Sequence, residues 1–222
     1  MSPAAAVPPA RPVSPSRAVF PSRAMPAARQ VVGRRRNRDD VVRTAGRMFA
    51  QRGFHGTSMR DLGEALGLLG SSLYAHIGSK NELLVEVIHS GAEQFLGLAE
   101  SVAGAGLAPS ARLERLVAGH VRILSENADR AATFLNEARH LPEADRAQVL
   151  AWRHAYQEIF RTTLAEGVAD GSFAPQLDVA RTATLVLSLL NAVERWYHPG
   201  GSDDVDSVAR HLTQFIQRGI QP

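Results

Sequence analysis

Apolar positions recur at three- and four-residue steps along most of this chain, and glycines interrupt them. Val41, Val42, Ala45, Met48 and Phe49 mark a helix that begins near Asn37 and stops at Gly53. Thr57 offers an N-cap for a short second stripe, Met59, Leu62, Ala65 and Leu66, which Gly67 ends. Ser71 to Ile77 predicts a third short helix, with Leu73 and Ile77 on one apolar face and the serines, Tyr74 and His76 on others. Ser79 and Glu82 read as a capping box opening a long fourth helix through Leu83, Leu84, Val87, Ile88, Phe95 and Leu98.

Beyond Gly106 the period stays helical and no alternating strand signal occurs, so the fold class is all-α. Leu113, Leu116, Val117 and Val121 stripe one helix. Val149, Trp152, Tyr156, Ile159, Phe160 and Leu164 stripe another that ends near Gly167 to Gly171. Val179 to Tyr197 and Val205 to Ile220 predict the last two. The phrase WYHPGG, Trp196 to Gly201, reads as the punctuation between them, with Ser202, Asp203 and Asp204 capping the final helix.

Two short helices joined by about four residues that include a glycine, behind a longer supporting helix, match the helix-turn-helix pattern. A plain helical hairpin with ordinary surface Ser and Tyr gives the same pattern. Charge separates the two readings. Residues 34 to 80 carry nine basic and four acidic side chains, whereas residues 81 to 222 carry twelve and eighteen. A basic front suits a polyanion such as DNA, and an acidic rear suits another task. In a helix-turn-helix the second short helix enters the major groove. Ser71 and Ser72 are then small enough to approach base edges, while Tyr74, His76 and Lys80 suit phosphate oxygens. Lys80 is the chain's only lysine.

Residues 1 to 33 hold seven of the twelve prolines and four arginines without an acid, and no hydrophobic period. They read as a disordered basic arm. The domain organisation expected is therefore an arm at 1–33, a DNA-binding domain at 34–80 and a helical domain at 81–222. With no cysteine, disulfides, thiol catalysis and Cys-ligated zinc are excluded. No apolar run reaches the roughly 18 residues of a membrane span, and no secretory h-region opens the chain, so a cytoplasmic protein without membrane contact is expected. The eight histidines include no H-x-x-x-H pair, and neither a nucleophile elbow nor a phosphate-cradling loop occurs. No metal, cofactor or enzymatic activity is expected.

The segment RTAGRMFAQRGFHGTSMRDLGEALGLLGSSLYAHIGSKNELL resembles the DNA-binding domain of TetR-family transcriptional regulators, with landmarks at Phe49, Gly53-Phe54, Thr57, Leu73-Tyr74, His76 and Ser79-Lys80. The resemblance implies a three-helix DNA-binding head, a connecting helix, and a helical domain that dimerises and holds a ligand. It places Thr57, Ser58 and the start of helix two at the DNA backbone, Gly70, Ser71 and Ser72 at bases, and Tyr74, His76 and Lys80 at phosphates. Leu69, Ala75 and Ile77 depart from the family's frequent polar, aromatic and Phe residues. The stretch GLLGSSLY, and the phrase around Trp196, are similar to a subgroup with acyl-CoA-responsive repressors of lipid and steroid catabolism.

Two further residue sets follow. Val186, Leu190 and Val193 with Val205, Val208, Leu212, Phe215 and Ile216 form apolar faces on the last two helices. They either close the monomer core or, as the resemblance implies, build a homodimeric four-helix bundle. Phe134, Trp152, Tyr156 and Phe160 are candidates to wall a ligand pocket, with Arg139 or Arg153 meeting an acidic group; ordinary packing is the alternative for each. The expected function is a ligand-responsive, DNA-binding transcriptional regulator, a repressor released from a double-stranded operator by a small molecule such as an acyl-CoA thioester. An activator or a ligand-independent regulator is the alternative.

Overall fold

A computed structural model describes residues 32–67, 77–198 and 200–222, with side chains from Arg38 onward in the first stretch. Among the described residues there are eight α helices, one 3₁₀ turn and no strands. The head contains α1 (Val32–Arg52) and α2 (Met59–Leu66). The third predicted helix, Ser71 to Ile77, lies outside the described residues except for Ile77, which is buried against the head core.

Helix α1 starts five residues ahead of the expected Asn37 and ends where Gly53 takes a φ of 73°. Its buried face, Val41, Val42, Ala45, Met48 and Phe49, is the predicted one. The cap of α2 is corrected by one residue. Ser58, not Thr57, is the N-cap: its hydroxyl accepts from Asp61 N–H while Asp61 accepts from Ser58 N–H. Thr57 is 1% exposed, and its hydroxyl lies 3.2 Å from the Met48 carbonyl oxygen and 3.1 Å from that of Gly53. It ties the turn to α1 instead of facing outward. Gly67 ends α2 with a φ of 65°, a left-handed conformation that costs glycine nothing.

Helix α3 (Lys80–Ala103) carries the chain out of the head. Ser79 caps it, but Glu82 reaches past Ser79 and accepts from Gly78 N–H at 3.1 Å, so the expected reciprocal box is replaced by a longer loop. Helices α4 (Pro109–Glu126), α5 (Ala128–Asn136), α6 (Glu143–Ala169), α7 (Val179–Trp196) and α8 (Val205–Ile220) complete the fold. Helix α4 packs against α3, α5, α6, α7 and α8, which explains why Leu113, Leu116, Val117 and Val121 are all fully buried. Asp204 caps α8 by accepting from Ser207 N–H.

Helix α5 was not separable in the sequence reading. It bridges the molecule, contacting α1 of the head as well as α3, α4 and α7. Gly91 of α3 makes its approach possible: a Cβ there would stand 2.8 Å from the Arg130 carbonyl oxygen and 3.0 Å from Phe134 Cβ. The two helices meet main chain to main chain.

The apolar faces of the last two helices pack largely inside the subunit, the first of the two alternatives read from the sequence. Val186, Leu190, Val193, Val208 and Ile216 are buried within the subunit, and Val205 and Leu212 are half-buried against the same core. A 3.6-residue stripe reports burial without saying against what. Of the set, Phe215 alone is open, 69% exposed, and Leu185 of α7 joins it at 63%. No helix among the described residues is long and apolar enough to cross a membrane.

Candidate functional site

Helices α3 to α7 enclose a cavity of about 410 Å³, within the size range of small-molecule sites. Its inner wall is aromatic: Phe95 from α3, Phe134 from α5, and Trp152 and Tyr156 from α6. These rings pack tilted or edge-on, Phe95 lying 5.7 Å from Phe134 and 5.4 Å from Tyr156. Exposed Thr184, Ser188 and Arg195 of α7 mark the mouth, with Glu194 beside them.

Four of the six expected ligand residues line this cavity: Phe134, Trp152, Arg153 and Tyr156. Phe160 does not. It is fully buried one turn behind and stands edge-on to Tyr156 at 5.4 Å. Arg139 is also corrected, because the helix breaks at Glu137 and the 3₁₀ turn Ala138–His140 carries Arg139 to the surface, where its Nε donates to His140 Nε2. Phe95, His120, Asn191 and Arg195 were missed. The signal for His120 was its place on the apolar stripe, three residues after Val117 and four after Leu116, where an imidazole needs a reason.

Arg153 joins the cavity to the helix beneath it. Its Nη2 donates to the Phe134 and Leu135 carbonyl oxygens, at 2.7 and 3.1 Å, and its guanidinium lies 5.2 Å from the Phe134 ring centroid. These are end carbonyls of α5, which lack partners in their own helix. Burial lowers the Arg153 pKa, though guanidinium stays charged at any physiological pH.

His120 is 1% exposed, and burial pushes its pKa down to about 3, so the ring is neutral. Its Nδ1 lies 3.2 Å from the Tyr156 hydroxyl, whose own pKa burial raises. Asn191 stands near enough to favour the protonated ring slightly, but His120 Nε2 has no partner in hydrogen-bonding geometry among the described residues.

The segment after α5 reaches the head. The Glu137 carboxylate, 7% exposed, accepts from Phe54 N–H at 2.8 Å. His140 stacks on the Phe54 ring at 5.7 Å and meets His55 edge-on at 4.5 Å. On the Phe54 ring sits Lys80 Nζ, 4.1 Å from the centroid, its pKa lowered by burial. Of the expected DNA contacts, Ser58 is exposed with its hydroxyl engaged as a cap, Thr57 is internal, and Lys80 opens α3 at the edge of the head. Gly70, Ser71, Ser72, Tyr74 and His76 lie outside the described residues.

Two family models cover this architecture. That of bacterial regulatory proteins of the tetR family matches residues 41–87, and that of the tetracyclin repressor-like C-terminal domain matches residues 106–220. The chain belongs to the TetR family of transcriptional regulators. This TetR-family chain is 30% identical over 196 residues to the HTH-type transcriptional repressor KstR2 of Rhodococcus jostii (strain RHA1), spanning 88% of itself and 96% of that relative. Its fold matches the ketosteroid transcriptional regulator KstR2 of Mycobacterium tuberculosis with a TM-score of 0.80 at 24% identity, over 87% of this chain and 97% of that one. It also matches AibR, solved in complex with isovaleryl coenzyme A and operator DNA, with a TM-score of 0.74 at 21% identity, over 81% and 97%. The TetR-family match at 41–87 includes the Phe54 cluster and residues 68–76, which lie outside the described residues.

Proposed function

We propose that the protein is a homodimeric cytoplasmic repressor, released from its operator when an apolar effector with an acidic group, an acyl-CoA thioester, enters the cavity. The observation that carries this reading is Arg153, which faces the cavity and also holds the end carbonyls of α5, two residues before the Glu137 contact to the head. An anionic effector group that recruits Arg153 competes with those carbonyls. An effector acts only through its differential affinity for the two conformations, and this competition is one source of that difference. The similarity to KstR2 repressors supports repression, and the fold shared with AibR supports the ligand class. The cavity accommodates an acyl portion, with the nucleotide leaving through the mouth past Arg195.

On the DNA side, Ser71, Ser72 and the Gly70 backbone read base edges, while Ser58, Tyr74, His76 and Lys80 position the head on phosphates. Dimerisation uses the outer faces of α7 and α8, where Leu185 and Phe215 lie open. Phe215→Glu is expected to give monomers by light scattering and to abolish operator binding; a dimeric variant would move the interface elsewhere.

The experiment that tests the whole reading is fluorescence anisotropy of the purified protein on DNA from its own upstream region, titrated with salt and then with acyl-CoA thioesters, free fatty acids and unrelated drugs. Specific binding released by a thioester supports it. Specific binding that no thioester disturbs discards the ligand class and keeps the DNA-binding regulator.

A further inference from the structure

The polar end of the cavity is built from two side chains that an apolar ligand would not require. His120 enters from α4 and Asn191 from α7, both lining the cavity, and Tyr156 from α6, also on the cavity wall, supports the histidine through its hydroxyl. The tautomer follows from that support. Among the described residues the Tyr156 hydroxyl has His120 Nδ1 as its partner, and a buried phenol that failed to donate would leave its proton unpaired. Tyr156 O–H therefore donates to Nδ1, and the neutral ring carries its proton on Nε2. Among the described residues that N–H finds no acceptor in bonding geometry, although Asn191 is beside it. An unmade bond at a buried donor is costly, and the cavity wall is where a ligand can make it.

We infer that His120 and Asn191 form a donor subsite for an uncharged carbonyl oxygen in the buried part of the effector, with Tyr156 as the positioning residue. The inference rests on the cavity being the effector site. A carbonyl oxygen has two lone pairs and takes both the imidazole N–H and the Asn191 amide N–H. A carboxylate is not suited to this end, because the neutral ring offers no countercharge and a buried anion needs one. The cations that line the cavity, Arg153 on α6 and Arg195 on α7 one turn beyond Asn191, suit the acidic group. The subsite thus sets specificity: it favours oxygenated acyl groups over plain hydrocarbon ones, as sites built to hydrogen-bond a ligand reject analogues lacking the group.

The test uses the full chain and hexanoyl-CoA alongside analogues with a ketone stepped from C3 to C5, with affinities from calorimetry and Trp152 fluorescence. At least one ketone position is expected to tighten binding by about tenfold or more over hexanoyl-CoA. That gain should vanish in His120→Phe and shrink in Asn191→Leu, which alters a half-buried residue and guards against misfolding of the first variant. Equal affinities across the series, or a gain that survives both substitutions, overturn the subsite while leaving the cavity reading intact. Failure of every thioester to bind, with Trp152 fluorescence unmoved, overturns the cavity reading and the subsite with it. Ring-nitrogen NMR of the ligand-free protein supplies an independent check. A neutral His120 protonated on Nε2 is expected, and a proton on Nδ1 refutes the donor assignment.

Discussion

Replacing Glu137 by Ala removes the carboxylate that binds the head loop to the segment following α5. The Phe54 N–H then loses a 2.8 Å charge-assisted hydrogen bond in a place where both residues are less than a tenth exposed. A hydrogen bond to a charged group contributes about 1.5–3 kcal/mol, and a buried donor left unpaired costs about 1–3 kcal/mol. Relief from burying the carboxylate offsets part of this, so the net loss expected is about 2 kcal/mol. For a chain of this size each kcal/mol moves the midpoint by about 2–4 °C, which places the variant about 4–8 °C below wild type in thermal unfolding followed by circular dichroism. Glu137→Gln keeps an acceptor but loses the charge, and falls about halfway. The Ala substitution also removes one of the ties between the α5 region and the head, leaving the α1–α5 contact in place, so the Ala variant is expected to bind operator DNA yet release it less completely with effector. A midpoint within about 1 °C of wild type, together with normal release, would refute the role assigned to this contact.

Lys80→Ala and Tyr74→Phe are expected to weaken binding to all DNA sequences alike and, for Lys80→Ala, to lower the log–log salt slope by about one; unchanged salt titrations would remove both from the phosphate contacts. His120 yields a pH prediction whose sign follows from its lowered pKa. The unfolded chain takes up a proton below about pH 6.5 while the native ring stays neutral down to about 3, so stability is full above 6.5 and is lost as pH falls. This histidine alone withdraws about 2 kcal/mol by about pH 5. Denaturant titrations should show a shallower acid loss in His120→Phe; parallel curves contradict the neutral buried state. Gly91→Ala forces a methyl group to 2.8 Å from the Arg130 carbonyl oxygen, and overpacking of this kind costs about 1–3 kcal/mol, measurable by chemical unfolding. A stabilised variant would show that α3 and α5 separate freely.

The stretch of the fold that was legible in the sequence is the one where period and cap agree. Val205 to Ile220 was bounded correctly at both ends because its apolar face begins directly after Asp204, a good N-cap. Helix α5 was missed because it is only nine residues long and is set off by Asn127 and Glu137, without a glycine or proline to announce a break. The slip from Thr57 to Ser58 came from two adjacent hydroxyls that composition cannot rank, and only burial separates the internal one from the cap. The aromatic wall was partly legible, since Phe134, Trp152 and Tyr156 share helical spacing with the core. Phe160 has the same spacing and lies behind the wall, because periodicity gives a face without giving its depth. His120, weighed only as a metal ligand, required the neighbouring Tyr156 and Asn191 to show its use.

The contact at Gly91 bears on how motion passes through the molecule. Helices that touch through side chains have slack: a rotamer can turn, and a small displacement of one partner dies out before the other feels it. At Gly91, where α5 crosses α3, there is no such cushion, because the Arg130 carbonyl oxygen rests on the bare α-carbon. The junction works as meshed gear teeth do, in which the follower turns as soon as the driver does, and the helix that leaves the head is the follower.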